Sequence, residues 1–175
     1  NCRTAPSREV QRMTIALYLE PLTAAAFAPF GDVLEVSGDP DKMINQGMCG
    51  RYHDRADIDV TDGKAGISLF SAQARSFPIA LDMVERHPNG SQAFIPMSLD
   101  PFVVVVAPDE NGVPGKPRAF LTKSGQGVNY HRGTWHGVLT PLHAPGLFAV
   151  VDRIGSGPNL NEHWFATPYT IEETS

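Results

Sequence analysis

Between Met48 and Ile154 the chain falls into short runs of strand-forming residues, each closed by a turn former. The runs are "MCGRYH", "GISLFSAQA", "IALDMVERH", "SQAFIPM", "FVVVVA", "RAFLTK", "GVNYH", "WHGVLT" and "LFAVVDRI". Sixteen glycines and fifteen prolines punctuate the 175 residues, so no long helix can form. Short strands at even spacing predict an all-β fold, a sandwich or a barrel. One short helix is expected in "PLTAAAFAPFG", where Thr23 can cap the N-terminus and Pro29 with Gly31 stops it. "DVLEV" reads as a strand and residues 37–47 as a loop. "PDENGVPGKP" (108–117) reads as a hairpin tip built on Asn-Gly. The closing "TPYTIEETS" is polar and is expected to fray.

Length allows one domain with its own core. Residues 1–12 have no apolar core of a signal sequence and precede the first patterned segment at Met13. They are expected to be a leader or an appended segment foreign to the fold, with residues 13–175 forming a single catalytic domain. A net charge of −5 argues against a nucleic-acid partner. The most apolar run, Phe102–Ala107, is far short of the ~20 residues a membrane helix needs. Cys2 and Cys49 make no disulfide framework or CxxC motif, which suits a reducing cytoplasm. Cys49 is expected to be a small packed side chain. Ten of the fourteen basic residues are arginine, a residue suited to forked capture of carboxylates.

Two stretches concentrate chemistry. In "MVERHPNGSQAFIPM" the strand period of two puts Glu85 and His87 on one face and Arg86 on the other. Pro88, Asn89 and Gly90 make a turn, and if Gln92 returns beside His87, carboxylate, imidazole and amide oxygen converge. All three can ligate a divalent cation. In "VNYHRGTWHGVLTPL", Gly133 stands in a tight turn with His131 and His136 on either side. His136 opens a strand in which Val138 and Thr140 share its face, so its ring projects into whatever Val138 lines.

The spacing Glu85-x-His87-x4-Gln92 resembles the first cupin motif, H-x-H-x4-E, with Glu for the first His and Gln for the last Glu. "HRGTWH" resembles the second, P-x-G-x-x-H, with His131 in the proline position and His136 as the ligand. More specifically, "GRYHDRAD", "VERHPNGSQAFIPM", "FVVVVAP", "RAFLTKSGQGVNYHRGTWHGVL" and "DRIGSG" together resemble the ureidoglycolate lyase family, in order from about Leu22 to Gly157. The resemblance implies a cupin-type double-stranded β-helix barrel and a homodimer. It also implies release of urea and glyoxylate from ureidoglycolate in allantoin (purine) degradation. A divalent metal, nickel or manganese, would be held by Glu85, His87, Gln92 and His136.

Ureidoglycolate is a carbinolamide, one carbon bearing hydroxyl, carboxylate and urea nitrogen. Expelling urea needs a base for the hydroxyl proton, an acid for the leaving nitrogen and a cation for the carboxylate. Glu85 or a neutral histidine can be the base and a second histidine the acid. The catalytic candidates are therefore Glu85, His87, His131 and His136. Arg51, Arg132 or Arg153 can fork onto the carboxylate; the resemblance implies that the segment with Arg51 and His53 borders the pocket, and Asn129 and Tyr130 are expected at its rim.

Each nomination has an ordinary structural counterpart. Glu85 could pair with Arg86 at the surface, and His87 and His136 could be satisfied core histidines. Gln92 could bond a strand edge, and His131 could only close its turn. Arg51 and His53 could lie on a half-exposed edge strand, and Asp152 with Arg153 could form a strand-end ion pair. Trp135 is expected in the core or pocket wall, and His143 and His163 are given no role. Two further functions stay open: another cupin enzyme acting on a small hydroxy acid, and a non-catalytic cupin that binds a small acid. An oxygenase would want three or more strong ligands, against which Gln92 counts.

Overall fold

A computed structural model describes residues 12–173. The leader expectation therefore falls, apart from Arg12, outside the described residues. In chain order the elements are β1 (Ile15–Pro21), α1 (Ala24–Phe27), β2 (Gly31–Leu34), β3 (Lys42–Ile44), a 3-10 turn (Asn45–Gly47) and β4 (Cys49–Arg51). Then come β5 (Lys64–Ala72), β6 (Ile79–Arg86), β7 (Gln92–Pro96), β8 (Phe102–Ala107), β9 (Asp109–Glu110) and β10 (Val113–Pro114). The chain ends with β11 (Arg118–Leu121), β12 (Gly127–Tyr130), β13 (Trp135–His136), β14 (Thr140–Pro141), β15 (Gly146–Ile154) and β16 (Asn161–Glu172).

The architecture is all-β, as the punctuated runs require. One sheet has the order β11-β1-β16-β6-β13-β8-β14, and β8 also pairs with β11, which closes the sheet on itself. A second sheet runs β2-β12-β7-β15-β5. Strand β8 explains why "FVVVVA" lacks alternation: it is a wall between two cores. Phe102, Val104 and Val106 pack with Phe27, Phe120, Val128 and Tyr130. Val103, Val105 and Ala107 face Leu17, Ile79, Trp135 and Ile171. All six residues are buried because both faces of the strand are covered.

The short helix forms where expected. The Thr23 hydroxyl accepts from the Ala26 N–H at 3.2 Å, and Phe27 is driven fully into the first core. The Asn-Gly hairpin also forms: Asn111 and Gly112 both take positive φ between β9 and β10, as a two-residue hairpin turn requires.

Four expectations are corrected. The C-terminal segment does not fray: β16 pairs with β6 and β1 through Glu172. Ile171, 1 % exposed, anchors it in the second core, so one well-placed apolar side chain outweighs a polar composition. The 37–47 loop contains β3, which pairs with β4. Cys49 is exposed, not packed. The sixth and seventh strands do not return beside each other: β6 pairs with β16 and β13, whereas β7 pairs with β12 and β15 in the other sheet. Glu85 and Gln92 therefore belong to different sheets.

Candidate active site

Strand β13 meets β6 at one residue pair, His136 opposite Glu85. Residues directly opposite each other in an antiparallel pair point to the same side, so imidazole and carboxylate share a face. His87, two residues past Glu85, joins them. Ligand atoms of Glu85, His87 and His136 all lie within 4.8 Å of one another. Glu85 Oε1 stands 4.0 Å from His87 Nε2, and the two imidazole rings are 5.2 Å apart.

Hydrogen bonds fix the tautomers. His136 Nδ1 lies 3.0 Å from the Gly137 carbonyl, and His87 Nδ1 lies 2.8 Å from the Asn159 carbonyl. A carbonyl only accepts, so each Nδ1 carries the proton and each neutral ring keeps a lone pair on Nε2. Both Nε2 atoms are buried and have no partner. A buried polar atom without a partner costs on the order of 1–3 kcal/mol. Nδ1–H tied to a carbonyl with Nε2 left free is the arrangement of a metal-ligating histidine.

Gln92 adds a third such atom from the other sheet. Its Nε2 donates to Asp152 Oδ2 at 3.1 Å, while its Oε1 is buried and unpartnered. Gln92 is opposite Tyr130 in the pairing of β7 with β12, so the two side chains share a face. The Tyr130 ring in turn stacks on His136 at 4.2 Å, nearly parallel. Of the four buried side-chain atoms without a partner among the described residues, three belong to His87, Gln92 and His136. The donor set of two imidazole nitrogens and a carboxylate from Glu85, His87 and His136 fits a divalent ion.

The electrostatics separate the members. Burial raises the Glu85 carboxyl above its ordinary value, an effect that His87 opposes and Glu162 reinforces. Burial pushes His136 down to about 3, partly offset by its bond to the Gly137 carbonyl. His136 is therefore neutral at ordinary pH, with a lone pair on its unpartnered Nε2. Burial, and then the charge of Glu85, holds the Tyr130 phenol above its normal range, so Tyr130 stays protonated.

The glycine between the two histidines acts through the backbone. Gly133 has φ +73°, a region L side chains rarely adopt. That turn lets the Gly133 N–H donate to the His87 carbonyl at 3.0 Å, lacing the second motif to the first.

Other nominated residues have partners of their own. His131 Nε2 is 3.1 Å from Asp32 Oδ1. Asn129 is fully buried and donates to Asp32 and to the Asp57 carbonyl, behind Tyr130 and not at a rim. Arg132 forks onto Asp59. Arg153 donates to the Thr61, Asp62 and Ser156 carbonyls and forms no pair with Asp152. Arg51 contacts His53 Nδ1 at 2.8 Å on the exposed β3–β4 hairpin. Arg86 leaves Glu85 for Asp109 and lies over the buried Trp135 ring. Sequence reasoning missed Asn159, whose carbonyl orients His87, and Asp32, which orients His131. A carbonyl leaves no mark in a sequence, and Asp32 is 97 positions from Asn129 and 99 from His131.

A closed β-sheet packed against a second one, with an acid and two imidazoles converging between strands, defines a cupin-type barrel with an enzyme-like site. The chain belongs to the ureidoglycolate lyase family, whose model matches residues 14–172. It is 60 % identical over 157 residues to the ureidoglycolate lyase of Rhodobacter capsulatus, covering 89 % of this chain and 98 % of that one. The enzyme of the same name from a Chelativorans species is 53 % identical over 154 residues, with 87 % and 93 % covered. Ureidoglycolate lyase 2 of Rhizobium meliloti is 51 % identical over 160 residues, with 90 % and 98 % covered.

Proposed function

We propose that this protein is a ureidoglycolate lyase that releases urea and glyoxylate from ureidoglycolate, with Glu85, His87 and His136 as its reaction centre. The observation that carries the reading is the set of orphaned atoms: His87 Nε2 and His136 Nε2, buried and unpartnered, gathered with Glu85 within 4.8 Å. The family supplies the substrate.

Elimination moves one proton. The substrate hydroxyl loses it, the carbon–oxygen double bond forms, the carbon–nitrogen bond breaks, and the urea nitrogen takes the proton up. Glu85 suits both halves. Its ionised form accepts the hydroxyl proton, and its raised pKa keeps the protonated form accessible for return to nitrogen. His87, beside Glu85, is the second group able to pass that proton. His136 and Tyr130 form a flat, dry wall that strengthens charge interactions in front of it. A divalent ion held by Glu85, His87, Gln92 and His136 would polarise the substrate oxygen and lower its pKa; nickel or manganese suits those donors. His131 and Asn129 hold the turn and β12 in place through Asp32.

We infer a homodimer as well. The outer face of the second sheet carries Leu69 of the edge strand β5 beside Ala149 and Ile95, and Ile67, Leu69 and Ile95 are exposed. Apolar surface on an edge strand calls for a cover. Sedimentation at micromolar concentration should give twice the chain mass, and Leu69→Lys should give a monomer. The cytoplasm is the compartment we assign, since it keeps an exposed thiol such as Cys49 reduced. Among the described residues no helix is long and apolar enough to cross a membrane.

The test of the main reading is incubation with ureidoglycolate, with urea and ammonia measured in parallel. One urea and no ammonia per glyoxylate is expected. Release of ammonia without urea would refute the lyase reading.

A further inference from the structure

At His136 strand β13 bonds both β6 and β8; beyond it the chain keeps to β8, through the Gly137 N–H on the Val105 carbonyl at 2.9 Å and then through β14, and its pairing with β6 ends. The sheet splits there. The split opens a cavity of about 330 Å³ whose lining includes Arg75, Glu85, Val138, Thr140, Glu162 and Trp164. That volume suits a small ligand, near the lower end of the ~300–1,000 Å³ of small-molecule sites.

Arg75 is the one cationic residue on this lining; Asp82, Glu85 and Glu162 are its anions. The other arginines among the described residues already have acceptors. Arg12 pairs with Asp82, Arg55 with Asp41, Arg86 with Asp109 and Arg118 with Glu20, and Arg51, Arg132 and Arg153 are engaged as described above. Among the described residues no ion pair involves Arg75. Its backbone is held in place, with its N–H donating to the Pro141 carbonyl at 2.9 Å. With Asp82 paired to Arg12, Glu85 and Glu162 still repel a carboxylate unless a cation receives it, and a guanidinium receives it with two parallel hydrogen bonds.

We propose that Arg75 is the substrate-binding residue that captures the carboxylate of a small 2-hydroxy acid in the split-sheet cavity and turns its carbinol carbon toward Glu85. The proposal rests on the ureidoglycolate reading, and Glu85 is the residue that this cavity shares with the Glu85–His87–His136 group. It replaces Arg51, Arg132 and Arg153 as the carboxylate clamp.

The carboxylate keeps its charge from ground state to transition state, so losing the clamp acts on binding. Arg75→Ala is expected to raise KM for ureidoglycolate about 10-fold or more while kcat stays within about twofold, with Arg75→Lys intermediate. Inhibition by glyoxylate should weaken by the same factor, and inhibition by uncharged glycolamide should not change. An Arg75→Ala protein with wild-type unfolding temperature, wild-type KM and wild-type glyoxylate inhibition overturns the proposal. Should Arg75→Ala fail to fold, Arg75→Gln and Arg75→Lys decide it by the same readouts. If the wild type releases no urea, the functional reading fails separately, and glyoxylate calorimetry still tests Arg75. Equal binding by wild type and variant would overturn the clamp, and loss of binding only in the variant would support it.

Discussion

His131 and His136 stand in one short segment, each directly preceded by an aromatic residue, and their environments are opposite. His136 is 2 % exposed, stacked on Tyr130, with Nδ1 bonded to its neighbour's carbonyl and Nε2 left without a partner. His131 is partly open to solvent and gives its Nε2 to Asp32. The backbone N–H of His131 is also tied down, to the Phe30 carbonyl at 3.0 Å. One imidazole has been desolvated without compensation, the other has been satisfied. Folding cannot favour the first arrangement by itself, because a buried lone pair facing nothing is a cost. It favours the second. The contrast is the ground on which we propose chemistry for His136 and scaffolding for His131, although the segment presents them as equals.

The comparison can be broken most forcefully at Glu85, which sits opposite His136 in the sheet. Glu85→Gln keeps the shape and removes the base, so kcat should fall by a factor on the order of 10² or more with KM little changed. A change in KM alone would reduce the cluster to a binding site. Next in size is metal removal. Stripping verified by elemental analysis should lower urea release severalfold or more, and nickel or manganese should restore it. Full activity in stripped protein would make the four donors a polar acid–base cluster.

On the scaffolding side, Asp32→Asn should cost about 1–2 kcal/mol in denaturant unfolding, because Asp32 accepts from Asn129, the Asp57 N–H and His131. Turnover should stay within about threefold of wild type. A turnover loss as large as that of Glu85→Gln would move this end of the segment into the chemistry. The smallest effect is in pH. Burial raises the Asp32 carboxyl, but the bonds from Asn129, the Asp57 N–H and His131 outweigh it and set it below 3.8. A depressed carboxyl contributes stability that is present above 3.8 and lost as pH falls through its lower folded value. The unfolding midpoints of wild type and Asp32→Asn should therefore differ at neutral pH and converge as pH falls well below 3.8. A gap that stays constant would mean that the Asp32 charge does not support the turn.

The fold was legible because strand period and turn chemistry are local. Thr23 caps the helix, and Asn111-Gly112 turns the hairpin, as their residue types require. What misled was polarity taken as a sign of disorder. Strand β16 is polar where one face meets solvent, and Tyr169 and Ile171 hold it from the other. Glu85, His87 and His136 could be read as a candidate group because the first two are spaced to share a strand face and all three sit in recognisable motifs. Gln92 lies on β7 in the opposite sheet, paired with β12 and β15, a placement that a pairing argument limited to adjacent strands could not supply. The arginines were the least legible. Arg132 and Arg153 flank the motifs, yet Asp59 and three backbone carbonyls claim them. Which arginine is left for a ligand depends on every other partner in the fold, a global property that no local spacing encodes.

The central claim, that the unpartnered imidazole belongs to the reaction centre and the partnered one supports it, has one direct measurement. Urea release by His136→Ala and His131→Ala should be compared at saturating ureidoglycolate, on samples shown by circular dichroism to be folded. The account predicts a kcat loss on the order of 10² or more for His136→Ala and no more than about threefold for His131→Ala. Equal losses, or a larger loss at His131, would contradict it.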